Sequence, residues 1–465
     1  MKQVAVSKHD LVFGSQIQIQ LRKIKLKTIT CVALVAGAAL SALSSPAMAQ
    51  AGKLDPTFGA GGLFVESARQ FNLGAAVALQ KDGKIVAGGQ IGFFNTGVIR
   101  LNSNGTLDSS FGTGGTVTSI LGGKDAGTQV FGLAIQSDGK IVAGISNIEF
   151  GFGPMFIVAR LNVNGSLDTT FGSGGIVETQ IGSFGTAASV LALQPDGRIL
   201  LAGPRAMARY HSNGQLDSTF GTGGIATTLV GAPTAIALQP DGKILLAAGG
   251  SVVAFSSNPG VGFNQVAGVL ARYNADGSLD TSFGISGQAA TLPTAAAIAV
   301  QTENGCTSAC QILVAGSLSS LSINDGSGFA FGVVRFNTNG SVDSTFGQSG
   351  AATTSFNPDA TPFALAIQSN GDIVAARTAG RPGGFTVVAT QADFALARYT
   401  SSGASDSAFG SAGKVTTALG TNQSAIYALA IQSDGKIVAV GGSIDAAPNP
   451  GGVPGGLVVA RYLAK

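Results

Sequence analysis

Residues 131–175 read FGLAIQSDGKIVAGISNIEFGFGPMFIVARLNVNGSLDTTFGSGG, and the chain after residue 50 is largely this passage repeated. Its first part, Phe131 to Gln136, is an apolar strand that runs into Asp138-Gly139. Asp-Gly between apolar runs signals a tight hairpin, and the residue pair predicts a two-residue type I′ turn with positive φ at both positions. Lys140 to Gly144 is the returning β-branched strand. A connection of variable length follows, then the apolar run Phe156–Leu161 that carries Arg160. After each Phe-Gly comes a Gly-Gly turn and a short Val/Thr strand, as in Gly114–Ser119. Counted from Phe-Gly, the unit thus holds four β-segments, the short Val/Thr strand first and the Arg-bearing run fourth. In the copy where the variable connection shrinks to Gly203-Pro204-Arg205, the two segments it joins must be antiparallel neighbours.

Three markers count the copies. Leu-Asp-x-x-Phe-Gly, with Val342 and Ser405 in place of Leu in the last two copies, places its Phe at Phe58, Phe111, Phe171, Phe220, Phe283, Phe346 and Phe409, spaced 53, 60, 49, 63, 63 and 63 residues apart. Gln-x-Asp-Gly-Lys-Ile recurs from Gln80, Gln136, Gln194 (with Arg198 in place of Lys), Gln239 and Gln432, with a mildly altered copy at Gln368 and a strongly altered fifth. The apolar run ends at Arg100, Arg160, Arg209, Arg272, Arg335, Arg398 and Arg461. Seven near-equal units of four antiparallel strands predict an all-β fold, a seven-bladed β-propeller. A parallel β-helix has much shorter coils and no Asp-Gly hairpins. Two sandwiches would divide seven units badly.

In six copies the Arg stands eight residues before the next marker Asp: Arg100/Asp108, Arg160/Asp168, Arg209/Asp217, Arg272/Asp280, Arg335/Asp343 and Arg398/Asp406. With only 11% charged residues in the chain, an ion held in every copy predicts a structural pair bracing the turn between them. Asp55 and Arg461 are left over at the two ends. They would complete each other if the N-terminal strand Gly62–Val65 finished the blade begun near Ala428, closing the ring without a free edge.

These segments resemble the Delta-60 repeat family of bacterial exported proteins. Asp-Gly-Lys-Ile-Val-Ala-Gly, Ala-Arg-Tyr-Asn-x-x-Gly-Ser-Leu-Asp and Asp-x-x-Phe-Gly-x-Gly-Gly carry the likeness over residues 54–462. The resemblance implies a β-propeller and supplies no catalytic residues to carry over. The fifth unit departs from it at Cys306–Cys310, and Ser405 stands where Leu is usual.

The first 49 residues read as a secretory signal. Arg22, Lys23, Lys25 and Lys27 form a basic region, Cys31–Leu43 an apolar core shorter than a membrane span, and Ala47-Met48-Ala49 a cleavage site before Gln50. Residues 1–20 are surplus to it, as if translation began near Leu21. The expected mature protein, residues 50–465, is secreted or periplasmic, monomeric, and not inserted in the membrane. The signal holds six Lys/Arg and one Asp, so the remainder carries 21 basic and 23 acidic residues. A balance near neutral points to no nucleic-acid partner. Two cysteines remain there, Cys306 and Cys310, and an oxidising compartment predicts a local disulfide.

Chemistry is hard to find. The mature part has one histidine, His211, in a turn. A lone His makes neither a triad nor a metal cluster. The Gly-Gly segments lack the Lys-Ser/Thr and helix of a phosphate loop, and one marker Asp per unit is too few for calcium. Absence of Trp disfavours a lectin. No catalytic residue, metal or other cofactor is called for. Acids outside the markers include Glu66, Asp125, Glu149, Glu178, Glu303, Asp325, Asp359, Asp393 and Asp445; Glu178 interrupts a Val/Thr strand. The asymmetry lies in the variable connections Gln90–Thr96, Ser146–Met155, Ser251–Gly268, Ser317–Phe329, Arg377–Asp393 and Gly442–Gly456. All leave one face of the disk, and Phe93, Phe94, Phe150, Phe152, Phe263 and Phe385 would offer a protein partner an apolar surface. The expected function is therefore a protein-interaction scaffold. The alternative is a hydrolase or lyase with an acid-based site at the channel mouth.

Overall fold

The computed structural model describes residues 50–66, 71–91, 95–122, 127–147, 155–182, 187–251, 267–302, 305–307, 310–319, 329–356, 363–379, 393–419, 423–444 and 456–465. Among them, 28 strands form seven four-stranded antiparallel sheets. Blades one to six span residues 71–118, 128–180, 190–227, 235–291, 297–354 and 364–417, each with its strands in chain order. The seventh sheet takes three strands from residues 423–462 and its fourth, Leu63–Val65, from the other end of the chain. There Leu63 lies opposite Ala460 and Val65 opposite Val458.

The first strand of each blade touches the first strands of both neighbours, and that circuit closes from blade seven to blade one. These are the inner strands around the axis. Along their last four residues they alternate with alanine: Ala76–Leu79, Gly132–Ile135, Val190–Leu193, Ala235–Leu238, Ala297–Val300, Ala364–Ile367 and Ala428–Ile431. The second and third strands are covered on both faces. This is why they read as unbroken apolar runs such as Gly456–Tyr462, buried throughout, instead of alternating. The core consists of seven clusters, one at each blade seam. The cluster at the closing seam mixes Ile85, Ile99 and Leu101 of blade one with Val438, Val440 and Val459 of blade seven around a fully buried Phe58.

Two local readings differ from the sequence expectation. First, the blade and the repeat are out of phase by one strand. The short Val/Thr strand after Phe-Gly is the outer strand of the sheet that precedes it, as Gly97–Ile99 pairing with Thr116–Thr118 shows. The Arg-to-Asp turn therefore joins the third and outer strands of one blade. The outer strand of the last blade is the N-terminal strand, as the leftover Asp55 and Arg461 led one to expect. Second, the Asp-Gly turns are not type I′. Gly139 has φ 87° while Asp138 is not among the residues with positive φ. The Gly139 N–H donates to Gln136 O, and the Asp138 carboxylate accepts from Lys140 N at 3.1 Å. A side-chain-capped turn followed by one left-handed glycine spans the hairpin, because the Asp gains an acceptor role in ordinary backbone geometry.

Candidate binding surface

The turn side of the disk carries most of the charge, and its groups are spent on one another. Each marker Arg donates from Nε to its Asp Oδ2 at 2.7–2.9 Å: Arg100–Asp108, Arg160–Asp168, Arg209–Asp217, Arg272–Asp280, Arg335–Asp343, Arg398–Asp406 and, across the chain ends, Arg461–Asp55. The other carboxylate oxygen caps its own turn, as when Asp217 Oδ1 accepts from Thr219 N and Oγ1. The guanidinium also lies 4.5–4.7 Å from the centroid of the marker Phe in all seven copies. Cation–π stacking thus fixes its plane while its edges stay free to donate.

One of those edges reaches the next blade. Nη1 of Arg100, Arg160, Arg209, Arg272, Arg335, Arg398 and Arg461 donates to the carbonyls of Val163, Ser212, Ala275, Thr338, Ser401, Ala464 and Ser103 in turn. The marker glycine after each Phe adds a backbone bond across the same seam at 2.7–3.1 Å, from Gly59 N to Asn104 O through to Gly410 N to Ala51 O. Sequence reasoning paired Arg with Asp but missed this inter-blade reach, since the carbonyl acceptors leave no side-chain signature.

A second cation backs most of the carboxylates. Lys84, Lys140, Arg198, Lys243 and Lys436 of the Asp-Gly turns lie 2.8–3.4 Å from Asp108, Asp168, Asp217, Asp280 and Asp55. In the degenerate fifth copy Gln311 donates to Asp343 instead, at 2.8 Å. In the sixth, Asp372 replaces the cation and its carboxylate stands 3.9 Å from Arg398.

This network sets an acid limit. Burial opposes ionisation of Asp55, but the Thr57 hydroxyl and N–H together with Arg461 outweigh it and hold the carboxyl at about 2. Asp217 is held at about 2 by the same balance with Thr219 and Arg209. Asp108 reaches about 2 chiefly through the Ser110 hydroxyl, against burial. These folded values lie below the unfolded value of about 3.9. Their contribution, on the order of 2 kcal/mol per carboxylate, is therefore complete above about pH 4 and disappears as pH falls through 2. Thermal melts should hold level from pH 7 to 5 and drop steeply below 4, with a shallower drop in Asp217→Asn. A melting temperature indifferent to pH down to 2 would contradict this.

The remaining polar groups are scattered. Tyr210, Tyr399 and Tyr462 are buried, with hydroxyls on Thr179, Thr354 and Thr417 of the preceding blade. Burial pushes Tyr210 up to about 12 despite the Thr179 bond. His211 is 44% exposed and 3.7 Å from the already paired Asp217. Glu178 is exposed on an outer strand opposite Ile157. Glu66 and Asp393 each have an interaction of their own. Asp125, Glu149, Glu303, Asp325, Asp359 and Asp445 lie outside the described residues. Cys306 and Cys310 are bonded to each other. Among the described residues, no group of three His, Cys, Asp or Glu is placed to hold a metal ion. A cavity of about 770 Å³ opens on the turn side at the closing seam, between Gln80, Lys81, Gln432 and Arg461. Arg461 in its wall is already committed to Asp55 and Ser103.

The opposite side is built from the ends of the second and third strands, where the variable connections begin. Phe93, Phe94, Phe150, Phe152, Phe263 and Phe385 lie outside the described residues. What is described there departs from seven-fold symmetry. The inner strands of blades one, two and seven carry β-bulges, at Ala75, Phe131 and Tyr427. Blade six places Arg377 in its second strand beside Phe363. The sequence reading counted Arg377 only as the edge of a loop.

No curated protein matches this chain. Among solved structures it is similar to YCF48 from Cyanidioschyzon merolae, at 8% identity over 86% of this chain and 98% of that one, with a TM-score of 0.43. It is also similar to XC5397 from Xanthomonas campestris, described as a gluconolactonase, at 13% identity over 73% and 91%, TM-score 0.34. A protein of unknown function from Bacteroides caccae aligns at 14% identity over 58% and 79%, TM-score 0.35. Such distant likenesses carry no chemistry from those proteins to this one. Residues 80–111, 136–171, 194–220, 239–283, 311–346 and 368–409 each match the model of a β-propeller domain of unknown function, DUF5122. Those six segments contain six of the seven Arg-to-Asp pairs and marker Phe residues described above, and it is over them that the chain is similar to this domain.

Proposed function

We propose that this chain is an exported, monomeric propeller that works as a binding scaffold for a protein partner, through the face bearing the connections between second and third strands. The observation that carries this reading is where the charge goes. All seven marker Asp residues are occupied in bracing turns, and the last four residues of every inner strand around the axis are apolar, alternating with alanine. Variation is concentrated instead in connections of unequal length on one face, which is how a rigid scaffold with a variable rim recognises partners. We further assign the repeats to the Delta-60 type on their sequence markers.

Export through cleavage after Ala49 is compatible with the closing seam. Among the described residues, Ala51 O accepts from Gly410 N and Gly52 N donates to Leu463 O, and both of these residues lie after that cut. The N-terminal sequence of the exported protein is expected to start at Gln50. Affinity capture from the exported protein fraction, with the intact chain and with a chain whose Gln90–Thr96, Ser251–Gly268 and Arg377–Asp393 connections are cut to Gly-Pro-Arg lengths, tests the binding face. Loss of specific partners from the folded short-loop chain is expected; an identical set of partners would end the proposal.

A further inference from the structure

At the fifth position of the second strand the blades carry Gly89, Ile145, Gly203, Ala248, Gly316 and Gly441, and blade six carries Arg377. Six of the seven blades thus keep this place small or apolar. The Arg377 guanidinium lies over the Phe363 ring, 4.1 Å from its centroid. Phe363 in turn meets Tyr427 of blade seven edge-on, at 6.0 Å between centroids. Tyr427 is the extra residue of a bulge between Ile426 and Ala428, a device that turns a side chain out of the regular ladder.

What sets Arg377 apart from the seven marker arginines is that no oxygen partner is found for it among the described residues. Each of those has a carboxylate and a carbonyl; Arg377 is partly buried, and among the described residues no carboxylate or carbonyl accepts from it. Asp393 stands opposite Ala379 in the same ladder and has an interaction of its own. Burial pushes the Arg377 pKa below its ordinary value, opposed only by Tyr427. The same seam holds another unmatched group. Ser424 is buried and its hydroxyl has no partner among the described residues, while its carbonyl accepts from Thr378 Oγ1 at 3.2 Å. A cation desolvated without a counter-charge is unfavourable, and a bound anion relieves it.

We propose that Arg377 anchors a ligand site at the seam between blades six and seven, and that the ligand is a small organic carboxylate carried on an apolar or aromatic body. A guanidinium whose Cζ sits over a ring, with no oxygen partner among the described residues, has N–H groups to offer, and a planar carboxylate matches the guanidinium fork with two parallel bonds. One cation suits a monoanion better than a phosphate dianion, which recruits several cations or a nest of backbone N–H groups. Phe363, 38% exposed, and Tyr427 offer the apolar wall against which the body of the acid would lie. The site stands apart from the scaffold reading and does not depend on it.

Benzoate is the probe, titrated calorimetrically into the folded mature chain at low salt, with inorganic phosphate as the comparison. Benzoate should bind and phosphate more weakly. Arg377→Gln should weaken benzoate by about tenfold or more, the loss of a charge-assisted pair. Arg377→Lys, which keeps the charge and loses the fork, should also weaken it measurably, and decides the matter if the Gln variant does not fold. Absence of benzoate binding at millimolar concentration, equal affinity in either variant, or phosphate binding as tightly as benzoate would each overturn the proposal.

Discussion

Asp55→Arg is expected to lower the free energy of unfolding by about 3–5 kcal/mol, whereas Asp196→Arg should cost less than about 1 kcal/mol. Both substitutions reverse a carboxylate paired with arginine, and burial separates them. The side chains of Asp196 and Arg198 are 48% and 37% exposed, so water screens the repulsion and the chains can swing apart. Those of Asp55 and Arg461 are 2% and 6% exposed, and Lys436 lies 3.3 Å from the same Asp55 oxygen. A new arginine there would face two cations with no room to leave. The double variant Asp55→Arg/Arg461→Asp should recover about half of the loss, because it restores neutrality but not the rest. An aspartate at 461 cannot donate to Ser103 O and cannot stack on Phe58. Urea denaturation of the four proteins measures these differences. A single reversal at Asp55 as mild as that at Asp196 would mean that the end-to-end pair contributes nothing to closure.

Much of this network was legible because it repeats. Eight residues between Arg and Asp, kept in six copies, could be read as a pair without any structure, and the orphans Asp55 and Arg461 then indicated how the ring closes. The turn glycines were legible as glycines but not in their geometry. Capping by Asp138 Oδ1 determines that only Gly139 takes positive φ, and no residue count reveals such a choice between turn types. The inter-blade bonds were illegible for a related reason: Arg209 donates to Ala275 O, and any residue supplies a carbonyl. Arg377 was missed because attention to repeats rewards what recurs. Its meaning lies in the contrast with Gly89 and Gly441, which appears only once the strands are aligned by their pairing. The candidate binding face was inferred from variable length, and length fixes where a connection starts and not what it touches.

A chain beginning at residue 67 is expected not to fold as a monomer on its own, and a synthetic peptide of residues 50–66 is expected to restore it. Removing the segment strips the edge of Gly456–Tyr462, leaving its backbone donors and acceptors unpaired and open to other chains. It also takes Phe58 out of the closing cluster, a loss of about 3–5 kcal/mol for a buried phenylalanine. Arg461 is left buried without its carboxylate, at a cost of similar size. Together these approach the whole stability of an ordinary domain, about 5–15 kcal/mol. The outer strand of blade three, Ile225–Thr227, makes the same kind of contacts while tethered at both ends, so the open seam is a property of blade seven alone. Because the peptide supplies strand, ring and carboxylate at once, its binding should be coupled to folding and visible as recovered β-sheet circular dichroism. A peptide with Phe58→Ala should bind about a hundredfold more weakly, the equivalent of some 3 kcal/mol, and one with Asp55→Asn about tenfold more weakly. If the shortened chain melted like the full mature protein, the three covalent strands of blade seven would be sufficient, and the N-terminal strand would be an accessory to the ring instead of its closure.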